Sequence, residues 1–220
     1  RLARENLRLS VVGDITEEEL QDVLKKVFGK LPEKPDVVNE AAPVTLQNQG
    51  QTVLYVRDIP QTIVSIAHPG IDHHHPDYFT AKVMNYILGG GGFGSRLTVE
   101  AREKRGLTYG IGSYLMDMDD ADLLIIQTST KNENVGKMLQ IVREQIAGMT
   151  EKSVLDQGLE LAKSYMVGSL PLSLTSTKQI ANMMMSIQEL GLPTNYLDMR
   201  KDAISAVTKE DILRVSKSLL

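Results

Sequence analysis

PDYFTAKVMNYILGGGGFGSRLTVEAREKRGLTYG, residues 76–110, is the stretch whose pattern decides the fold. Behind Pro76, a residue suited to a first helical turn, Phe79, Val83, Met84, Ile87 and Leu88 recur at helical spacing, so 76–88 reads as an amphipathic helix. Gly89–Gly92 stop it. Ser95–Arg105 reads as a second short helix, ended by Gly106. Two strands are predicted next, Leu107–Met116 and Ala121–Thr130, joined by the acidic turn Asp117–Asp120.

Working outward toward the N-terminus, Thr52–Arg57 and Thr62–Ala67 read as an antiparallel pair of strands. Residues 30–50 hold three prolines and few large apolar residues, the composition of an extended linker. Leu7–Val12 reads as a buried strand closed by Gly13-Asp14. A helix follows, with Thr16 as cap, Glu19 at the capping-box position, Ile15 placed to staple onto Leu20, and Gly29 and Pro32 at its end. Its apolar face is Leu20, Val23, Leu24 and Val27.

Toward the C-terminus everything is helical. Val135, Met138, Leu139, Val142, Ile146 and Met149 form one stripe, and Val154, Leu155, Ala162, Tyr165 and Met166 begin another. Helices are also predicted at 176–190, at 195–205 and from Thr208, which Asp211 completes as a capping pair and Val207 can staple onto Ile212. Hairpin-like strand pairs with helices gathered on one side define an α+β fold, an antiparallel or mixed sheet with its helices packed on one face. The predicted division is a strand–helix unit at 1–32, a linker at 33–49 and an α+β domain at 50–220.

Composition narrows the function. The net charge of −4 and the lack of a concentrated basic face argue against nucleic-acid binding. No apolar run approaches the roughly 20 residues of a membrane span. Cysteine is absent, which removes disulfides, thiolate metal sites and a cysteine nucleophile together. The chain opens at Arg1 without an initiator Met, which reads as a processed or trimmed product.

Four motifs invite a chemical reading. His68, His73, His74 and His75 are the only histidines, but three are consecutive and cannot all face one point, so a solvated turn before the 76–88 helix is the simpler reading. Neither H-x-x-E-H nor H-E-x-x-H occurs. Gly89–Gly94 formally satisfies G-x-G-x-x-G, yet it follows a helix where the phosphate-binding form follows a strand. A glycine run does let backbone turn sharply and approach another chain closely. Met183, Met184 and Met185 share helical spacing with Ile180 and Ile187 and read as core filling.

Arg102 and Tyr109 form the fourth. A guanidinium offers a fixed fork of donors for carbonyl or carboxylate oxygens, and a phenol can donate to a peptide carbonyl or a developing oxyanion. Taken singly, Arg102 sits among the charges of Glu100, Glu103, Lys104 and Arg105 and reads as solvated. Tyr109, placed on a strand face with Leu107 and Ile111, reads as core.

The blocks Pro76–Phe79, Asn85–Gly91, Phe93–Leu97 and Arg102–Tyr109 resemble the signature of the pitrilysin/insulinase family of zinc metallopeptidases, in particular the C-terminal, non-zinc-binding domain of its processing-peptidase-like members. Leu9–Ile15 also resembles the strand that ends the family's preceding domain. The resemblance implies α+β domains in homologous pairs, one bearing zinc on H-x-x-E-H and one lacking it, which enclose an unfolded peptide that adds to a sheet edge. It implies that Arg102 and Tyr109, seven residues apart, reach into the partner's zinc site, and that Gly89, Gly90, Gly91 and Gly92 form a substrate-binding loop. It implies no metal on this chain, zinc on an H-x-x-E-H-bearing partner domain or subunit, and a peptide as substrate. Paired bacterial members are often exported, so an extracytoplasmic or periplasmic setting is the expectation from resemblance alone. Members with the same fold also serve as structural core subunits without peptidase activity, which makes a structural role the alternative. The resemblance further places a strand after the last helix. The chain stops there at Leu220, so the expectation is that the N-terminal strand–helix unit fills the vacant edge or is exchanged between chains.

Overall fold

The computed structural model describes residues 2–37, 44–45, 47, 49–118 and 121–220. Part of the predicted linker and the last two residues of the Asp117–Asp120 turn therefore lie outside the described residues. The chain forms two compact units, Arg1–Pro43 with Gly168–Asp198, and Val44–Val167 with Met199–Leu220. Residues 168–198 thus group with the N-terminal stretch, whereas sequence reading keeps them in the 50–220 body.

The second unit is built on a three-stranded antiparallel sheet in the order β1-β3-β2, with β1 Gln61–Pro69, β2 Ile111–Met116 and β3 Leu123–Lys131. Val64 and Ile111 lie opposite Thr128, and Ile66 and Ser113 lie opposite Ile126. Because side chains alternate between faces, Ile66, Ile111, Leu115, Leu124 and Ile126 share one face and enter the main core. The other face carries Ile63, Tyr114 and Gln127, all exposed, with Ile125 its buried exception. The helices therefore cover one side of the sheet, as the α+β reading requires.

They are α2 Tyr78–Asn85, α3 Arg96–Thr98, α4 Val135–Glu151, most of α5 (Asp156–Gly168) and α7 (Tyr196–Ala206), and α8 Lys209–Leu219. Met84, Leu88, Leu97, Met138 and Met149 are fully buried. Burial of an aliphatic side chain of this size contributes about 1.5–3 kcal/mol. The α8 capping box of Thr208 and Asp211 forms as read. Val207 and Ile212 are both buried in the same core.

The first unit contains α1 Glu17–Phe28 and α6 Thr177–Glu189. The Thr16–Glu19 capping box also forms, because both residues satisfy amide groups that the helix itself cannot. No residue of α1 is buried; Val27 of its apolar face is 62% exposed.

Four local readings are corrected. Leu7–Val12 is neither a strand nor buried, with Leu9 and Val11 exposed; an apolar run makes a strand only where a ladder partner exists. Thr52–Arg57 likewise forms no strand, so β1 pairs with β3 and not with it. Strand β2 begins at Ile111, four residues after the predicted start at Leu107. Met183–Met185 fill no core: α6 buries no residue and Met184 is exposed.

Candidate functional site

Helix α2 does not end at the glycines. It widens into a π-helical turn, Tyr86–Gly90, closed by the Gly91 amide donating to Tyr86 O at 2.8 Å. Gly89 lets this turn lie against β2, for a Cβ there would stand 2.5 Å from Ser113 Oγ and 2.7 Å from Ser113 N. Asn85 and Ser113 fasten the contact, Ser113 Oγ donating to Asn85 Oδ1 at 2.7 Å and Asn85 Nδ2 to Ser113 O at 3.2 Å. Gly92 then reverses the chain with φ of 60°, a conformation that favours glycine. Among the four glycines read as a binding loop, Gly89 is turned inward, while Gly90 and Gly92 are exposed and Gly91 is half-buried.

The chain re-enters helix at Arg96 and widens again into a second π turn, Val99–Glu103, which carries Arg102. Such turns are rare and frequently mark functional positions. Beyond Gly106 the segment 107–110 is pinned to β3. Buried Thr130 donates to Leu107 O at 2.6 Å, Thr128 Oγ1 lies 3.0 Å from Gly110 O, and Thr108 Oγ1 accepts from the Gly110 amide at 3.0 Å. With both flanks held, Tyr109 projects outward and is 89% exposed. The reading of Tyr109 as a core residue on a strand is therefore corrected: it stands in the loop before β2.

Arg102 and Tyr109 do come together. The guanidinium carbon lies 5.2 Å from the Tyr109 ring centre and 4.5 Å from that of Phe93, so the cation is held between two aromatic faces. Glu103 lies 3.6 Å from Arg102 Nε. Phe93, on the short helical turn Gly92–Gly94, is exposed and was not among the candidates read from sequence. The available signal was a large aromatic inside a glycine run, where no core can absorb it. Beside Tyr109 a cavity of about 340 Å³ is lined by Gln61, Thr108, Ser129, Lys131 and Asn134 among others, which brings the start of β1 to this site.

The histidines form no metal centre. His73 Nδ1 pairs with Asp117 Oδ2 at 2.7 Å, His75 Nδ1 accepts from the Asp77 amide, and His68 lies on β1. Burial, aided by Asp117 and Asp72, pushes the nearby Asp122 carboxyl above its usual range. Among the described residues no three His, Cys, Asp or Glu side chains are placed to hold a metal ion. The described residues thus offer no donor set for zinc, the metal that the resemblance places on a partner domain. Gly89–Gly94 continues the helical course of α2 through the turns Tyr86–Gly90 and Gly92–Gly94 and does not follow a strand. Among the described residues no helix is long and apolar enough to cross a membrane.

The geometry is that of a one-sided α+β domain that presents an Arg–Tyr pair, with no metal-ligand cluster among the described residues. The family description "Peptidase M16 inactive domain" matches residues 2–166, and the chain belongs to that family. It is 28% identical over 169 residues to the uncharacterized zinc protease YmxG of Bacillus subtilis, covering 77% of this chain and 40% of that one. It is 28% identical over 233 residues to a probable mitochondrial-processing peptidase subunit beta of Schizosaccharomyces pombe, covering 96% and 48%. The crystal structure of a peptidase M16 inactive domain from Pseudomonas fluorescens superposes with a TM-score of 0.75 at 28% identity, over 94% of this chain and 49% of that one. The chain thus spans about half or less of the length of the curated relatives it matches.

Proposed function

We propose that this chain is the substrate-binding, non-catalytic half of a zinc metallopeptidase, and that Arg102 and Tyr109 assist the reaction at a centre held by an H-x-x-E-H-bearing domain. The observation that carries the reading is the exposed Tyr109 packed with Arg102 and Phe93 beside the glycine turn. An aromatic held almost wholly in water by a loop tied down at both flanks is a poor contribution to stability and a good one to a ligand.

The zinc belongs to the partner in this reading and would supply the activated water and the polarised carbonyl. The residues of this chain do the holding. An extended peptide adds its main chain to the open edge of β1, whose first residue, Gln61, shares a cavity with Tyr109. Exposed Gly90 and Gly92 allow the peptide backbone to come close. The Arg102 guanidinium and the Tyr109 hydroxyl donate to carbonyl oxygens near the bond to be cut, where charge develops.

The test is hydrolysis of a mixed fluorogenic peptide library, first by the chain with zinc and then with the H-x-x-E-H-bearing half added. Activity in the mixture alone, abolished by a chelator, is the expected result. Within that mixture Tyr109→Phe should slow turnover by about 10²–10³, the usual effect of losing one such donor. An unchanged rate would sink the catalytic role of Tyr109. No activity in a mixture whose halves demonstrably bind would leave a structural subunit as the function.

A further inference from the structure

A second cavity, of about 450 Å³, lies between the first π turn and α5, and neither Arg102 nor Tyr109 lines it. Its walls include Tyr86, Val154, Leu155, Leu161 and Tyr165, with Arg96 as its one charged residue. Leu155, Leu161 and Tyr165 are exposed on α5 and the residue before it, at 80%, 63% and 60%. The Tyr86 and Tyr165 ring centres lie 5.3 Å apart with their planes tilted by 32°. The volume falls within the ~300–1,000 Å³ usual for a small-ligand pocket, and mostly apolar walls with a single polar anchor are the usual lining.

Arg96 is held in place but not neutralised. Its Nε donates to Gln145 Oε1 at 3.1 Å, and a Cβ at Gly148 would collide with its Nη2, so α4 leaves room for the guanidinium. Among the described residues no carboxylate forms an ion pair with it. Glu100 exerts some pull, but Lys104 at 2.5 Å and Arg105 at 2.5 Å already take up that carboxylate. Half-burial draws the Arg96 guanidinium below its ordinary pKa, which marks the cost of a charge in an apolar wall. A fixed fork of donors at the wall of an apolar cavity complements a carboxylate attached to an apolar body.

We propose that this cavity binds the C-terminal residue of a peptide that ends in a large apolar side chain, with the terminal carboxylate on Arg96 and the side chain between Leu161 and the two tyrosines. The inference rests on the reading of this chain as a peptide-binding half, and it adds a preference for free, apolar C-termini at a place separate from Tyr109. A fatty acid shares the carboxylate-and-tail chemistry. The peptide is favoured because the chain is already read as a peptide-binding half, and a cavity of about 450 Å³ walled by two tyrosine rings has room for one large side chain.

The test is fluorescence anisotropy with two labelled octapeptides of one sequence ending in leucine, one a free acid and one a C-terminal amide. The acid is expected to bind the chain about tenfold or more tightly than the amide, as loss of a charge-assisted contact requires. Arg96→Gln should erase that difference. Because Arg96 is partly buried, Leu161→Glu provides a second variant at an exposed position, and it should weaken the acid through repulsion without affecting the core. Equal affinity for acid and amide would overturn the C-terminal inference while leaving peptide binding intact. Absence of binding to either peptide would overturn the peptide-binding reading itself. Displacement of the acid by dodecanoate at equal or lower concentration would assign the cavity to free apolar carboxylates and overturn the peptide source.

Discussion

Two threonine hydroxyls do much to decide where Tyr109 points. Thr130 is 1% exposed and spends its hydrogen on the Leu107 carbonyl at 2.6 Å, while Thr128 reaches the other end of the same loop. Thr130→Val keeps the shape but leaves that carbonyl without its donor. The expected loss is about 1–3 kcal/mol, read from the urea midpoint, with faster amide exchange across 107–110. A variant as stable as the parent would mean that the carbonyl finds another donor, and the loop would then owe its form to Gly106 and Gly110. Phe93 acts at the same scale. Removing its ring with Phe93→Ala takes away one of the two faces that confine the Arg102 guanidinium; under the proposed function, turnover of the mixture with the H-x-x-E-H-bearing half should then fall while the urea midpoint of this exposed-site variant stays put.

At the scale of elements, the fold was legible where a local signal carries its own partner. Both capping boxes, Thr16–Glu19 and Thr208–Asp211, form because the residues that satisfy each other lie three apart in sequence. The strands were less legible because a ladder is a property of two segments. Leu7–Val12 and Thr52–Arg57 have strand composition and lack a ladder partner among the described residues. The π turns had no periodicity of their own to announce them; only the glycines hinted that α2 would press against β2. That contact gives a paired prediction. Gly89→Ala drives a Cβ into the Ser113 backbone and should cost about 1–3 kcal/mol by overpacking. Gly92→Ala meets no atom within 4 Å and should lose only about 1 kcal/mol, for its positive φ. Urea melts that rank the two in the other order would place the tight approach elsewhere. The seam between α2 and α8 titrates. Arg214 holds both oxygens of Asp77 at 2.7 Å, and that hydrogen-bonded pair keeps the Asp77 carboxyl below its usual range. A depressed folded pKa stabilises the fold above the unfolded value near ~4 and is lost as pH falls through the folded one. Arg214→Met should therefore be less stable than the parent at pH 7 and converge with it in acid, as thermal melts across pH 2–7 would record.

At the scale of the molecule, the sequence motif located the Arg–Tyr pair, but its geometry rests on contacts that no local pattern contains: Phe93 on one side, Thr128 and Thr130 behind. What the whole adds is the open edge. β3 lies between β1 and β2, so the outer side of β1 has no ladder partner among the described residues, and its Ile63 is 75% exposed. An open edge with apolar side chains is a hazard in a free protein and an asset in one that captures extended chains. Hydrogen exchange separates the two sides of one strand. Amides of β1 that bond to β3 should exchange slowly, and the alternate amides facing outward should exchange at loop rates, as should 51–57. Adding an extended peptide should slow the outward set on β1 and leave the inward set unchanged, because strand addition uses only the free edge. Protection that appears instead along α1, whose Val23 and Val27 are also exposed, would show that the peptide avoids the sheet, and the β1 edge would lose its place in the binding model.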